Sequence, residues 1–148
     1  MDLIADGISL SVFFAIPITL LLVLIRIEPL YKKIQTGLIT VLGTLFIVLT
    51  VPLLKNVIPS KRPACAKNCN ILNQGGDASD ENGMPSGHMS MAAFLVTLLF
   101  FNSGLFVRSI SVLWLLAVGW SRYYKSCHTV AQIVGGLIYG SVIGRLFV

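Results

Sequence analysis

The chain has 148 residues, 55% of them hydrophobic and 11% charged, with a net charge of +5. Soluble domains carry roughly 25% charged residues, so this composition excludes an ordinary soluble domain and fits one membrane bundle. The basic residues are scattered among apolar runs and form no stripe, which excludes nucleic acid as a partner; anionic lipid headgroups or phosphorylated substrates suit the charge better.

The first apolar run, about residues 8–27, is long enough to cross a bilayer and carries Pro17 as a kink. Its leading residues, MDLIADG, are acidic, and no small-residue cleavage site follows. It reads as a retained spanning helix, not a signal peptide. A basic link from Arg26 to Lys33 leads to a second span, about residues 37–54.

Residues 59–85 differ in composition, with three prolines, three glycines and four asparagines. They read as a polar, partly ordered loop outside the hydrocarbon, and the run NQGGDASDENG reads as a flexible, solvated linker. Cys65 and Cys69 lie close enough to pair in an oxidising compartment. They are separated by three residues, not the two of a zinc knuckle; a zinc site built from the three cysteines and His128 is the alternative.

His88 to Ser121 is largely apolar and would extend about 50 Å as one helix, against roughly 30 Å for one crossing. Asn102-Ser103-Gly104 is the natural break, giving spans at about 88–101 and 105–121. The last span is about 128–147. The expected fold is all-α: a single domain, 1–148, forming a polytopic membrane bundle of about five transmembrane helices, with the polar loop carrying part of a site.

Crossing parity gathers Lys55, Lys61, Arg62, Lys67, His88, Arg122, Lys125 and His128 at one face. Arg26, Lys32, Lys33, Arg108 and Arg145 lie at the other. If part of the first set is held by function, the remaining bias puts the Arg26–Lys33 link in the cytoplasm. The site face then looks into a lumen, a periplasm or the outside.

The sequence holds no GxSxG elbow, HExxH or P-loop, and no pair of acids lies within a span. What converges is a set of cations with two imidazoles. Cations stabilise phosphoryl oxygens, while one imidazole can attack phosphorus and the other can protonate a leaving oxygen. Three stretches sharpen this: KNVIPSKRP from Lys55, PSGH ending at His88, and SRYYKSCH from Ser121 to His128. In order and spacing they resemble the three signature motifs of the type 2 phosphatidic acid phosphatase superfamily.

The resemblance implies a metal-independent and cofactor-free phosphatase. Lys55, Arg62 and Arg122 would bind phosphate oxygens. Ser86 and Gly87 would add hydroxyl and backbone N–H contacts at a helix start. His88 would be the general acid, and His128 the nucleophile that forms a phosphohistidine. Lys61, Lys67 and Lys125 are read as surface charges that draw in an anionic substrate.

Two features depart from the family pattern. The family usually has six helices, and the first of them is the one not found here. It also usually places aspartate four residues after the nucleophile, where this chain has Gln132. Read as i and i+4 of one helix, His128 and Gln132 would share a face, and the amide would accept the imidazole N–H without supplying a charge. Dolichyl-diphosphatases and glucose-6-phosphatases look alike in carrying glutamine there, and His-Thr-Val-Ala-Gln is similar to the dolichyl branch.

The expected substrate is therefore a lipid phosphate or diphosphate in the membrane, with a polyprenyl or dolichyl diphosphate first. The alternative is a catalytically silent relative that binds or scrambles phospholipid or scaffolds a partner. Gly136, Gly140 and Gly144 form a small-residue stripe, read first as packing within the bundle and otherwise as a contact between copies.

Overall fold

The computed structural model describes residues 2–26, 29–70 and 74–148. Five helices follow in order: α1 (Asp2–Arg26), α2 (Leu30–Val57), α3 (Gly87–Asn102), α4 (Leu105–Tyr124) and α5 (Val130–Phe147). Four of them, all but α3, are long and apolar enough to cross a membrane. Leucines and isoleucines such as Leu21, Leu49, Leu113, Leu116 and Ile138 project outward, where lipid rather than water is their natural neighbour. The protein is a helical membrane bundle.

α3 is the centre of that bundle and packs against all four other helices. Its 16 residues extend about 24 Å. Eleven of those 16 positions are buried, including Phe94, Leu95 and Leu98. The chain breaks after Asn102 as expected. The Asn102 side-chain amide donates to the Leu98 carbonyl at 2.8 Å, closing the last turn of α3. Gly104 then caps α4.

α5 docks on α3 through its small residues. A methyl added at Gly140 would stand 2.0 Å from the Ser90 carbonyl oxygen, and one at Gly136 would stand 2.6 Å from that of Ser86. Gly144 faces Thr97 in the same way. The stripe is thus taken up within the chain, and a second copy could use it only by displacing α3.

Several boundaries differ from expectation, including the ends of α2 and α4, which run three residues further, to Val57 and Tyr124. α1 begins at Asp2, about a turn and a half early, because the acidic residues before the apolar run continue the helix. The end of the first span, Ile27, lies outside the described residues, as does the Arg26 side chain. α2 begins at Leu30, so Lys32 and Lys33 belong to its first turn and the link is shorter than the sequence suggested. α5 begins at Val130, with Thr129 as its N-cap, which leaves His128 outside the helix.

The polar loop is ordered, and residues 74–83 within it are held by backbone pairing, contrary to the reading of that run as a flexible linker. Isolated bridges pair Lys61 with Asn82 and Lys67 with Asp77. Gly83 N–H donates to the Ser60 carbonyl at 2.7 Å, and Ala78 N–H to that of Ala66 at 2.8 Å. Residues 71–73, part of this loop, lie outside the described residues. Composition pointed to disorder because polar, glycine-rich sequence usually solvates itself. Here its backbone groups find partners across the loop.

Candidate active site

The end of α4 turns the chain so that His128 returns beside Arg122. Ser126 takes a left-handed conformation, φ 53°. The Arg122 carbonyl accepts from both Cys127 N–H, at 3.1 Å, and His128 N–H, at 3.3 Å. The Arg122 guanidinium is fully buried. Its Nη1 donates to Ser9 Oγ at 2.5 Å and its Nη2 to the Cys69 carbonyl at 2.9 Å.

The cysteine pairing differs from expectation. Cys69 is bonded to Cys127, 58 positions away, and Cys65 is free and exposed. Cys69 and Cys127 are packed with Ala66 and Ala78 in a small buried cluster, whereas Cys65 points outward. Nearness in sequence was the wrong guide, because the fold of the loop decides which sulfur faces the bundle. The zinc alternative falls with it, since two of its sulfurs are bonded to each other.

His128 and Gln132 meet, though by another route than a shared helix face. Thr129 and Gln132 form a capping box at the start of α5. The Gln132 Oε1 accepts from Thr129 N–H at 3.2 Å and lies 3.2 Å from His128 Nδ1. The amide nitrogen donates to Ser60 Oγ, the Ser60 carbonyl and the Lys61 carbonyl, at 3.0, 3.1 and 2.9 Å. Those acceptors fix which end of the amide is nitrogen. The oxygen therefore faces His128, which places the imidazole proton on Nδ1 and leaves Nε2 with its lone pair.

A cavity of about 250 Å³ opens at this face. Lys55, Arg62, Gly87, His88 and His128 line its polar end. Val12 and Phe13 of α1, Ile47, Val48, Val51 and Pro52 of α2, and Met91 of α3 form an apolar wall. The Phe13 ring meets the His88 ring edge-on, with centroids 5.7 Å apart. Of the other expected site residues, Ser86, Arg122 and Gln132 are buried and do not line the cavity.

Several donors at this end have no hydrogen-bond partner among the described residues: Arg62 Nε and Nη1, His88 Nε2 and Ser86 Oγ. Ser86 sits at the N-cap of α3 without making the usual side-chain cap bond, so capping does not account for its hydroxyl. Buried donors are normally satisfied, and a cluster of orphans beside cations suits a tetrahedral oxyanion.

Burial and then the charges of Arg122, Arg62 and Lys55 hold His128 well below the usual imidazole range, only partly offset by its bond to Gln132. The ring is thus neutral near pH 7, the form a nucleophile requires. Burial also lowers the pKa of Arg62, and the adjacent Glu81 carboxylate raises it.

The surface cations behave differently from one another. Lys61 pairs with Asp80 at 2.9 Å, in the open. Lys125, expected at the surface, is mostly buried, with 12% of its side chain exposed, and pairs with Asp6 of α1. None of the expected site residues lies in the first helix, yet it supplies Asp6, Ser9, Val12 and Phe13 to this end of the bundle. A sequence signal existed: Ala5, Ser9, Val12 and Thr19 are its buried positions, a small and polar face within an apolar helix. Glu81, Ser60 and Gly83 were missed for lack of any such periodicity.

Residues 36–148 match the family model of the PAP2 superfamily. The chain belongs to that superfamily. The match takes in all of the site except the α1 contribution. Members of the PAP2 superfamily are generally phosphatases, which places this protein among phosphatase-type hydrolases of lipid phosphates. No curated protein and no solved structure matches the chain.

Proposed function

We propose that this PAP2 protein hydrolyses a lipid phosphate or diphosphate through a phosphohistidine on His128, with a polyprenyl or dolichyl diphosphate as first candidate. The observation that carries the reading is the convergence of two imidazoles with Lys55 and Arg62 at one end of a cavity whose other wall is apolar. The polar end suits a phosphoryl group. The wall continues to Val48 and Pro52, exposed on the outer face of α2, where a hydrocarbon tail can lie.

In this reading the lone pair of His128 Nε2 attacks phosphorus as the bond to the leaving oxygen breaks. His88 gives that oxygen a proton. Water then attacks the phosphohistidine, returns a proton to His88, and the P–N bond breaks to release phosphate. Lys55 and Arg62 stabilise the charge on the equatorial oxygens, and Arg122 adds its charge from behind. Gln132 replaces the usual acid by holding the ring in the required tautomer.

The Cys69–Cys127 bond supports a site that faces an oxidising lumen, periplasm or exterior. The test is phosphate release from a panel of lipid mono- and diphosphates by purified protein in detergent, without added metal. The expected result is release that is lost in His128→Ala and His88→Ala. If wild-type protein releases no phosphate from any member, the enzyme reading falls and the silent relative takes its place.

A further inference from the structure

Among the described residues, Glu81 is the one carboxylate that lines the cavity. Its Oε2 lies 3.2 Å from Arg62 Nη2. The two side chains differ sharply in exposure, 5% for Arg62 and 63% for Glu81. The arrangement is built in by the backbone, because Arg62 N–H donates to the Glu81 carbonyl at 3.1 Å beside the Lys61–Asn82 bridge.

A carboxylate is an odd lining for a pocket that receives an anion. Both two-point edges of a guanidinium include Nη2, one with Nε and one with Nη1. A carboxylate on Nη2 therefore stands beside whichever edge a phosphate takes. Two anions on one buried guanidinium repel each other, which favours one of them leaving. Glu81 is the one able to do so, since most of its side chain is already in solvent and Arg62 is fixed within the site.

We propose that Glu81 is a specificity-determining residue: a resident counter-ion on Arg62 that an incoming phosphate displaces, and that keeps the site from retaining inorganic phosphate. It rests on the reading of the cavity as a phosphate site. In the unliganded protein Glu81 neutralises Arg62. A lipid phosphate offsets the displacement with contacts of its tail along the apolar wall, which inorganic phosphate lacks. Product release then recovers the Arg62–Glu81 pair.

The experiment is titration of inorganic phosphate into the purified full chain in detergent, comparing wild type with Glu81→Gln and Glu81→Asp, alongside lipid phosphate turnover. Glu81→Gln should bind inorganic phosphate about threefold to tenfold more tightly, with KM for the lipid lowered and kcat reduced by slower product release. Glu81→Asp, which keeps the charge, should stay near wild type. A Glu81→Gln affinity that is unchanged or weaker, with turnover intact in wild type, overturns the inference and leaves the phosphatase reading standing. Loss of affinity in both variants would show that Glu81 merely positions Arg62, and also overturns it. A wild type that neither binds nor releases phosphate removes the reading on which the inference rests.

Discussion

The amide nitrogen of Gln132 donates to both the carbonyl and the hydroxyl of Ser60, while its oxygen lies 3.2 Å from His128 Nδ1. One side chain thus ties the polar loop to the orientation of the imidazole. Restoring the aspartate usual in the superfamily should therefore harm this protein. Aspartate is shorter and has no donor for the Ser60 and Lys61 carbonyls. Gln132→Glu keeps the length but turns a carboxylate toward those carbonyls. Each change should cost about 1–3 kcal/mol of stability and at least tenfold in kcat. Thermal melting and initial rates measure both, and a Gln132→Glu protein that melts and turns over like wild type would contradict this account.

Gly83 lies against the same amide. A methyl there would stand 2.4 Å from Gln132 Oε1 and 2.7 Å from its Cδ. A free glutamine would swing aside, but this one is held at both ends. Gly83→Ala should lower kcat while leaving every residue of the cavity wall in place. Rates equal to wild type would mean that Gln132 does not set the ring.

The chain has only two histidines, so His88→Ala leaves His128 as a single reporter. Its pKa is depressed, mainly by burial. The folded protein should keep the ring neutral at pH 6.5, where an unfolded chain is half protonated. The sign follows from linkage: the stability tied to this group is fully present above about pH 6.5 and is lost as pH falls through the lower folded value. NMR titration of tag-free His88→Ala protein reads this directly, and a midpoint at or above 6.5 would refute it.

The bond between Cys69 and Cys127 joins the loop to the residue before His128. It also positions the Cys69 carbonyl that receives Arg122. Cys69→Ala should lose about 2–4 kcal/mol of stability along with most of the activity, whereas Cys65→Ser should change neither. Peptide mapping of unreduced protein should recover Cys69 linked to Cys127. Recovery of a Cys65–Cys69 peptide would reverse the assignment.

Gly140→Ala tests the packing of α5 on α3. Its methyl would meet the Ser90 backbone oxygen, which cannot rotate away. Overpacking of this kind costs about 1–3 kcal/mol. A melting temperature unchanged from wild type would count against close approach of these helices.

Much of this was legible in the sequence, for identifiable reasons. Apolar runs announce membrane helices because lipid tolerates little else, and Asn102-Ser103-Gly104 supplies the turn residues near the middle of a run too long for one crossing. Crossing parity alone brought Lys55, Arg62, His88 and His128 to one face, and the cavity gathers the same four. The loop was opaque because its order comes from pairings between distant backbone groups, which leave no periodic trace. Glu81 looked like one acid in a solvated run and becomes a cavity residue only once Lys61 and Asn82 pair. The disulfide was missed for the same reason.

Ser9 gives the last of these observations its weight. It belongs to α1, which lies outside the stretch of chain matching the superfamily, yet it accepts a hydrogen bond from the buried Arg122 guanidinium. The border of family likeness and the border of the working site do not coincide. A version trimmed to residues 36–148 would keep all three signature motifs and lose the support under one of them. Chimeras that exchange first helices between relatives should therefore be judged by how they seat this arginine, before their catalytic residues are blamed for lost turnover.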